Sequence, residues 1–358
     1  MQRRILPILL LTTSAIPLAP RGVLADDSAA AIAAGGLVPR REVRIVMAKE
    51  VLRISEKKVV VDYDFRNDSA EDVVTEVAFP IPPYEDDIEA PAISLQSFSD
   101  FRLFVDGKPV AFNTEAKAIV KGKDVTNVLN ADHLDVATFG HWEGPSGSNA
   151  EPRIRDMERL PKTEQKRLFA LGLFESDPAI ANWTVHLKYH WSQTFPAHSV
   201  VHIRHEYTPV VGFSYESVDG LEVALNPPGA KKDGKRWRDS GAEGIAGFCA
   251  EPELLRGLVR RLNENPNPEQ RGIFYAYWVD FILTSANTWQ RPIEDFTLII
   301  ERPQHDTDGQ TLISFCTPTR VERLDANHFQ IHLSNYVPTA ELHIGFFHLP
   351  HMSLESPP

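Results

Sequence analysis

Apolar and polar residues alternate along many short stretches of the chain, as expected for β-strands with one buried face. In residues 183–191 one face carries apolar and aromatic side chains and the other carries His186, Lys188 and His190. Residues 59–65 have the same period of two. Similar runs occupy residues 43–47, 50–54, 73–79, 101–105, 200–207, 221–225, 273–286, 296–301, 312–316, 329–333 and 342–347. The pattern therefore predicts a mainly β protein.

Helical spacing is confined to a few segments. Residues 253–263 place apolar side chains at i, i+1, i+4, i+5 and i+8, which predicts an amphipathic helix. Residues 114–120, 124–134 and 162–173 have helix-like composition and predict a helical insertion over 113–180. Residues 27–34 resemble a short Ala-rich helix that ends at Gly35 and Gly36, although two glycines in a row also suit a loop close to a ligand.

These elements predict a mainly β (α+β) fold with two β-sandwich-like sheet systems. The expected order is a signal peptide over 1–25, an N-terminal sandwich-like region over 26–112 and the helical insertion over 113–180. A C-terminal sandwich-like region with one helix follows over 181–349, and residues 350–358 form a tail.

The first 25 residues have the three parts of a secretory signal peptide. Arg3 and Arg4 precede an apolar stretch, and small residues then lead to an expected cleavage between Ala25 and Asp26. The stretch is too short, and too interrupted by proline, to predict a transmembrane helix. A disordered leader is the alternative. Cleavage predicts a periplasmic or secreted protein that is not inserted in the membrane.

Charge narrows the class of partner. The 358 residues carry a formal net charge of −12, and cleavage would remove three arginines and no acidic residue, giving −15. Such a charge repels nucleic acid and anionic lipid. The expected partner is therefore an unidentified protein or small molecule in the cell envelope, and no cofactor is expected.

The chain has two cysteines, Cys249 and Cys316. In an oxidising compartment a pair of cysteines favours a disulfide over free thiols. Closing the long loop between them would stabilise the protein by about 4 kcal/mol. The alternative is a cysteine nucleophile.

Histidines offer a candidate metal site. If residues 183–207 form a hairpin centred near Pro196, His190 faces His202 across the strands and His186 lies on the same face. Imidazoles in this arrangement suit zinc or copper. Lys188 and a second basic residue share that face and oppose a cation, so a solvated polar face is the alternative.

Other candidates have weaker patterns. His343, His348 and His351 form a loose C-terminal set, and the acidic residues of 85–89 could offer oxygen ligands to calcium without the spacing of an EF-hand. The sequence has no G-x-S-x-G elbow, no H-E-x-x-H motif and no phosphate-binding glycine loop. No catalytic residue is therefore predicted.

Several segments, in the same order, resemble the bacterial domain of unknown function family 4424. They cover nearly the whole chain after the leader: residues 27–37, 61–67, 77–80, 122–126, 191–197, 207–212, 283–289, 292–296 and 314–316. The resemblance implies an exported bacterial protein with no established activity, cofactor or catalytic residue. Together with the β pattern, it favours a non-catalytic binding or interaction protein. A hydrolase with a site between the helical insertion and the sheets, and a metal-binding periplasmic protein, are the alternatives.

Overall fold

The computed structural model describes residues 27–33, 36–85, 100–137, 152–174, 181–225, 245, 247–265, 271–303 and 311–349. Strands dominate these ranges and form three sheets, so the prediction of a mainly β protein with some helices is confirmed. The described ranges hold five α-helices: α1 (Thr126–Ala131), α2 (Pro152–Arg159), α3 (Lys162–Ala170), α4 (Val218–Leu225) and α5 (Pro252–Asn263).

The largest sheet has eight strands and joins distant parts of the chain. In order across the sheet they are β16 (Glu322–Arg323), β17 (His328–Tyr336), β14 (Ile293–Glu301), β3 (Ile45–Ile54), β4 (Val59–Asn67), β11 (Ser199–Tyr207), β6 (Arg102–Val105) and β7 (Lys108–Pro109). β14 lies parallel to β3, so strands from both predicted sandwich regions share one sheet. The expected boundaries at 112 and 180 therefore do not separate the sheets.

The two smaller sheets have six and four strands. The six-stranded sheet runs β2 (Gly36–Pro39), β1 (Ser28–Ala33), β5 (Val73–Pro80), β10 (Thr184–Phe195), β8 (Asn113–Val120), β9 (Lys123–Asp124). The four-stranded sheet runs β12 (Val211–Ser217), β13 (Ile273–Phe281), β18 (Leu342–His348), β15 (Thr311–Phe315).

The main core lies between the six-stranded and eight-stranded sheets. Phe195 of β10 meets Phe65 of β4 with ring centroids 5.7 Å apart, and Phe79 of β5 stacks on His205 of β11 at 4.8 Å. The predicted apolar face of β10 is buried here, as the alternation of residues 183–191 requires. Aromatic side chains thus hold the two sheets face to face.

The strand predicted over 273–286 ends at Phe281, and a 3₁₀ helix follows at Thr284–Thr288. Three further predictions of secondary structure are wrong for a shared reason. Residues 28–33 form β1 rather than a helix, because Ser28 donates to the carbonyl of Ala78 and the segment pairs with β5. Residues 113–120 form β8, which pairs with β10, so the insertion is helical only in part. Residues 221–225 belong to α4, whose Leu221 is buried against α5. In each case the contacts of the segment with distant parts of the chain determine its secondary structure, because its local composition is compatible with more than one structure.

The predicted amphipathic helix and the predicted disulfide are both confirmed. The predicted helix over 253–263 is α5, and its Leu255, Leu258 and Leu262 are buried. The predicted disulfide joins Cys249 to Cys316, with Cα atoms 5.0 Å apart and a sequence separation of 67. It ties the segment before α5 to the end of β15.

Among the residues that the structure describes, no helix has the length and hydropathy needed to cross a bilayer.

Candidate functional site

One face of the four-stranded sheet presents aromatic side chains. The register pairs Phe213 of β12 with Tyr277 of β13, and Tyr215 with Tyr275. These four residues therefore lie on the same face, which we call the aromatic face. Their rings contact one another, with centroids 5.1 to 5.8 Å apart. Tyr215 and Tyr275 are 57% and 43% exposed, so the face is open to solvent at this end.

A carboxylate borders the aromatic face. His348 of β18 lies beside Tyr275 in the register and packs its ring against Tyr277. His348 is hydrogen-bonded to Glu56, which comes from the turn between β3 and β4. Burial raises the pKa of Tyr277, and the negative charge of Glu56 adds to the effect. The face thus combines ring surfaces, phenol hydroxyls and one paired acid.

The opposite face of the same sheet is closed. Leu258 and Leu262 of α5, together with Leu221 of α4, pack with Phe274 and Phe347 in a separate apolar cluster. A glycine lies under each of two large rings on this side: a Cβ on Gly212 would lie 1.9 Å from the indole of Trp278, and one on Gly345 would lie 2.8 Å from Phe248. The sheet therefore has one face buried by helices and one face partly open.

A buried Asp–His pair lies in the main core. His205 Nε2 is 3.0 Å from Asp27 Oδ1, and both side chains are fully buried. Phe79 and Phe101 stack on the imidazole, and Trp191 meets it edge-on. Burial raises the pKa of Asp27, whereas the contact with His205 lowers it. A pair enclosed in this way has no surface on which to receive a substrate.

The hairpin behind the predicted metal site is wrong. β10 pairs with β5 and β8 in the six-stranded sheet, whereas β11 pairs with β4 and β6 in the eight-stranded sheet. His190 is hydrogen-bonded to Glu76, and His202 is hydrogen-bonded to Asp64. The two histidines therefore lie in different sheets and do not face each other.

His186 has surroundings that disfavour a cation. Burial lowers its pKa, and the charges of Lys188 and Lys117 lower it further. Within the described ranges, no three His, Cys, Asp or Glu side chains converge as they would around a metal ion.

The weaker candidates are dispersed or lie outside the described residues. His343 stacks on Phe248 on the helix-covered side of β18, whereas His348 contacts Tyr277 on the other side, so the two diverge. His351 and most of the acidic stretch, residues 86–89, lie outside the described residues, as do the signal peptide of residues 1–25, Asp26 and Gly35. Glu85 accepts a hydrogen bond from Thr184. Gly36 begins β2.

Sequence reasoning missed both the aromatic face and the buried pair. Val211, Phe213 and Tyr215 alternate with Gly212 and smaller or polar residues, and this period of two is the signal that predicts β12. No comparable signal links Asp27 to His205, which are 178 residues apart.

Comparison with known proteins gives a family but no function. The family model described as "Domain of unknown function (DUF4424)" matches residues 25–344. No curated protein matches the chain. A crystal structure of a "putative nutrient binding protein" from Legionella pneumophila subsp. pneumophila is similar, with 14% identity and a TM-score of 0.39, covering 86% of this chain and 68% of that chain. A likeness of that size leaves the function to be argued from this chain's own residues.

Proposed function

The chain belongs to the DUF4424 family, whose description states no function, and from its geometry we propose that it is an exported, non-catalytic envelope protein that binds a partner or ligand through the aromatic face. The observation that carries this proposal is the open cluster of Phe213, Tyr215, Tyr275 and Tyr277. Contiguous exposed apolar surface marks interaction sites, and tyrosine is enriched in them.

The chemistry of the face suits binding. Tyrosine buries a large ring with few rotatable bonds and keeps a hydroxyl for hydrogen bonding. The strands of a sheet hold these rings in place before a partner arrives, which lowers the entropic cost of association. The Glu56–His348 pair adds a polar rim to an apolar centre.

The packing of the helical segment supports a non-catalytic role over a hydrolase. Leu129 of α1, Met157 of α2 and Leu168 of α3 are all buried in the main core. The described parts of these helices therefore pack into the same core as the sheets, and this packing counts against a cleft between them in the described residues. The Asp27–His205 pair, which has the residue types of a catalytic dyad, is sealed by aromatic rings.

We also propose that the protein is exported from the cytoplasm. A disulfide between Cys249 and Cys316 is the kind of crosslink that persists in an oxidising compartment. The pattern of residues 1–25 is that of a secretory leader. Mass spectrometry of the protein from isolated periplasm tests this directly. We expect an N-terminus at Asp26, and a chain that retains Met1 in the cytoplasm would overturn it.

Photocrosslinking in cells tests the binding face. A photoreactive phenylalanine analogue at Tyr215 or Tyr275 should give adducts of one recurrent species, identified by mass spectrometry. Val200 on β11 is the matched control, since it is 54% exposed on another sheet. The identified molecule should then bind the purified protein, and Tyr275→Ala should weaken that binding about tenfold or more, as for an aromatic hot spot. Equal adducts at all three positions would contradict the proposal.

A further inference from the structure

The Cys249–Cys316 disulfide lies at the protein surface, and both of its cysteines are exposed. Cys249 also has a φ of 51°, in the left-handed region that residues other than glycine rarely adopt. Backbone strain of this kind persists only where the surrounding structure enforces it, and the crosslink is part of that structure at Cys249. Exposed or strained disulfides are the ones that exchange with other thiols. The bond therefore has two features of a reactive disulfide.

A histidine and an aspartate lie in line with Cys316 across the four-stranded sheet. β15 pairs with β18 up to Phe315 opposite Ile344, so the next step of the same register places Cys316 opposite His343. β18 in turn places His343 opposite Asp280 of β13. Residues opposite each other in a sheet share a face. Three neighbouring strands thus bring a sulfur, an imidazole and a carboxylate into one row.

The segment before α5 holds the histidine beside the disulfide. The ring of His343 stacks on Phe248, with centroids 4.2 Å apart and planes 7° from parallel. A Cβ on Gly247 would lie 3.7 Å from His343 Nε2, and the Gly247 carbonyl oxygen is 3.5 Å from Cys316 Sγ. The imidazole and the sulfur therefore approach the same glycine. Its carbonyl is also in place to accept the S–H bond of a reduced Cys316.

Asp280 orients the imidazole for proton transfer. His343 Nδ1 donates a hydrogen bond to the Asp280 carboxylate, so Nε2 is the nitrogen that gains or loses a proton. The two side chains are 36% and 42% exposed, so water reaches both. A carboxylate, an imidazole and a sulfur in this order are the groups by which proteins activate a thiol. Here the sulfur is in a disulfide.

We propose that Cys249–Cys316 is a redox-active disulfide that exchanges with a dithiol, and that Cys316 is the sulfur released beside His343. The first thiol of the dithiol loses its proton to water, and its sulfur attacks Cys249 Sγ. A mixed disulfide forms as the Cys249–Cys316 bond breaks, and the electron pair of that bond passes to Cys316 Sγ. Imidazolium His343 donates its Nε2 proton to this sulfur and recovers a proton from water.

The second thiol completes the exchange. It loses its proton to water, and its sulfur attacks the dithiol's own sulfur in the mixed disulfide. Cys249 leaves as a thiolate and takes a proton from water. The dithiol is thereby oxidised by two electrons and the protein's disulfide is reduced by two. This reaction needs an exposed sulfur rather than a substrate cleft. The aromatic face lies on the other side of the same sheet, so the exchange does not depend on the binding proposed above.

Reduction of the purified protein by dithiothreitol, without denaturant, tests the reactivity. The rate should be first order in dithiothreitol and should fall about tenfold or more in His343→Gln, which cannot protonate the leaving sulfur. His332→Gln should react as wild type does, since His332 bonds an aspartate in another sheet. Lost stability would speed reduction, so a slower variant is not explained by unfolding. A rate independent of dithiothreitol, or equal in wild type and His343→Gln, would overturn the proposal.

A monothiol tests which sulfur leaves. Glutathione has no second thiol for the closing step, so it should leave a mixed disulfide that mass spectrometry locates after free thiols are alkylated. We expect glutathione on Cys249 and the alkyl group on Cys316 in wild type, and a weaker preference in His343→Gln. Glutathione mostly on Cys316, or the same distribution in both proteins, would refute the release of Cys316 beside His343.

Discussion

His205 and Asp27 form a fully buried hydrogen-bonded pair, with Nε2 and Oδ1 3.0 Å apart, although 178 residues separate them in the chain. The pair links the beginning of the described chain to β11, an interior strand of the eight-stranded sheet. Trp289 strengthens the attachment, because its indole N–H donates to the backbone carbonyl of Asp27. The segment that follows the predicted cleavage point is therefore part of the core.

Replacing His205 should lower the free energy of unfolding. His205→Gln takes away the partner that offsets the burial of the Asp27 carboxylate, and breaking a buried pair costs about 3–5 kcal/mol. Urea unfolding of wild type and variant measures the difference. His332→Gln is the matched control, since His332 also bonds an aspartate, Asp295, but the two side chains are 52% and 47% exposed. Its cost should stay below about 1 kcal/mol, and similar losses in the two variants would contradict the argument.

Filling the space under Trp278 should also destabilise the protein. A Cβ on Gly212 would lie 1.9 Å from the Trp278 indole, so Gly212→Ala must displace a large ring. Overpacking of this kind costs about 1–3 kcal/mol. Gly257→Ala in α5 is the control, because no atom beyond the neighbouring backbone of the helix lies within 4 Å of its Cβ position, and alanine favours helix by roughly 0.5–1 kcal/mol. Thermal unfolding should thus shift in opposite directions, and a stabilised Gly212→Ala would be inconsistent with the contact.

Strand periodicity predicted much of the sheet content because period two depends only on which side chains are buried. The face of β10 that carries Val185 and Leu187 is buried as expected. Periodicity does not predict β-bulges or strand pairing, because both depend on which strands lie next to each other in the sheet. Residues 45–47 of the first run and all of the run at 50–54 belong to one strand, β3, and an irregularity between Met47 and Lys49 shifts the alternation between them.

The candidate site was harder to predict than the strands. The histidine hypothesis required a local hairpin, but β10 and β11 go to different sheets, which no local pattern encodes. The aromatic face requires the register between β12 and β13, and 55 residues, 218–272, separate these two strands in the chain. Long-range register is fixed by packing in three dimensions, so the sequence indicated the residues and left their arrangement open.

Stability should fall in acid through an ion-pair cluster on the eight-stranded sheet. Hydrogen bonds from Lys58 and Arg204 hold the pKa of Glu206 below its usual value, despite some burial. A carboxylate with a lowered pKa in the folded state stabilises the protein above its unfolded pKa, near 4.5, and this contribution is lost as pH falls through the folded pKa.

Urea unfolding over the range from neutral pH to about pH 3 measures this dependence. Glu206→Gln should have a shallower loss of stability in acid than wild type, by up to about 1 kcal/mol. Glu322→Gln on β16, where the side chain is exposed, is the control and should follow wild type. The same acid dependence in wild type and Glu206→Gln would exclude this cluster as a source.

Reduction of the disulfide should lower the free energy of unfolding by about 4 kcal/mol, because the crosslink closes a loop between residues 67 apart. Cys249 and Cys316 are both exposed, so a reductant reaches the bond in the folded protein. Chemical unfolding with and without reductant measures the loss. The double variant Cys249→Ser/Cys316→Ser should match the reduced wild type and should not respond to reductant. If wild type unfolds at the same denaturant concentration in both conditions, the crosslink does not restrict the unfolded chain as its loop length requires.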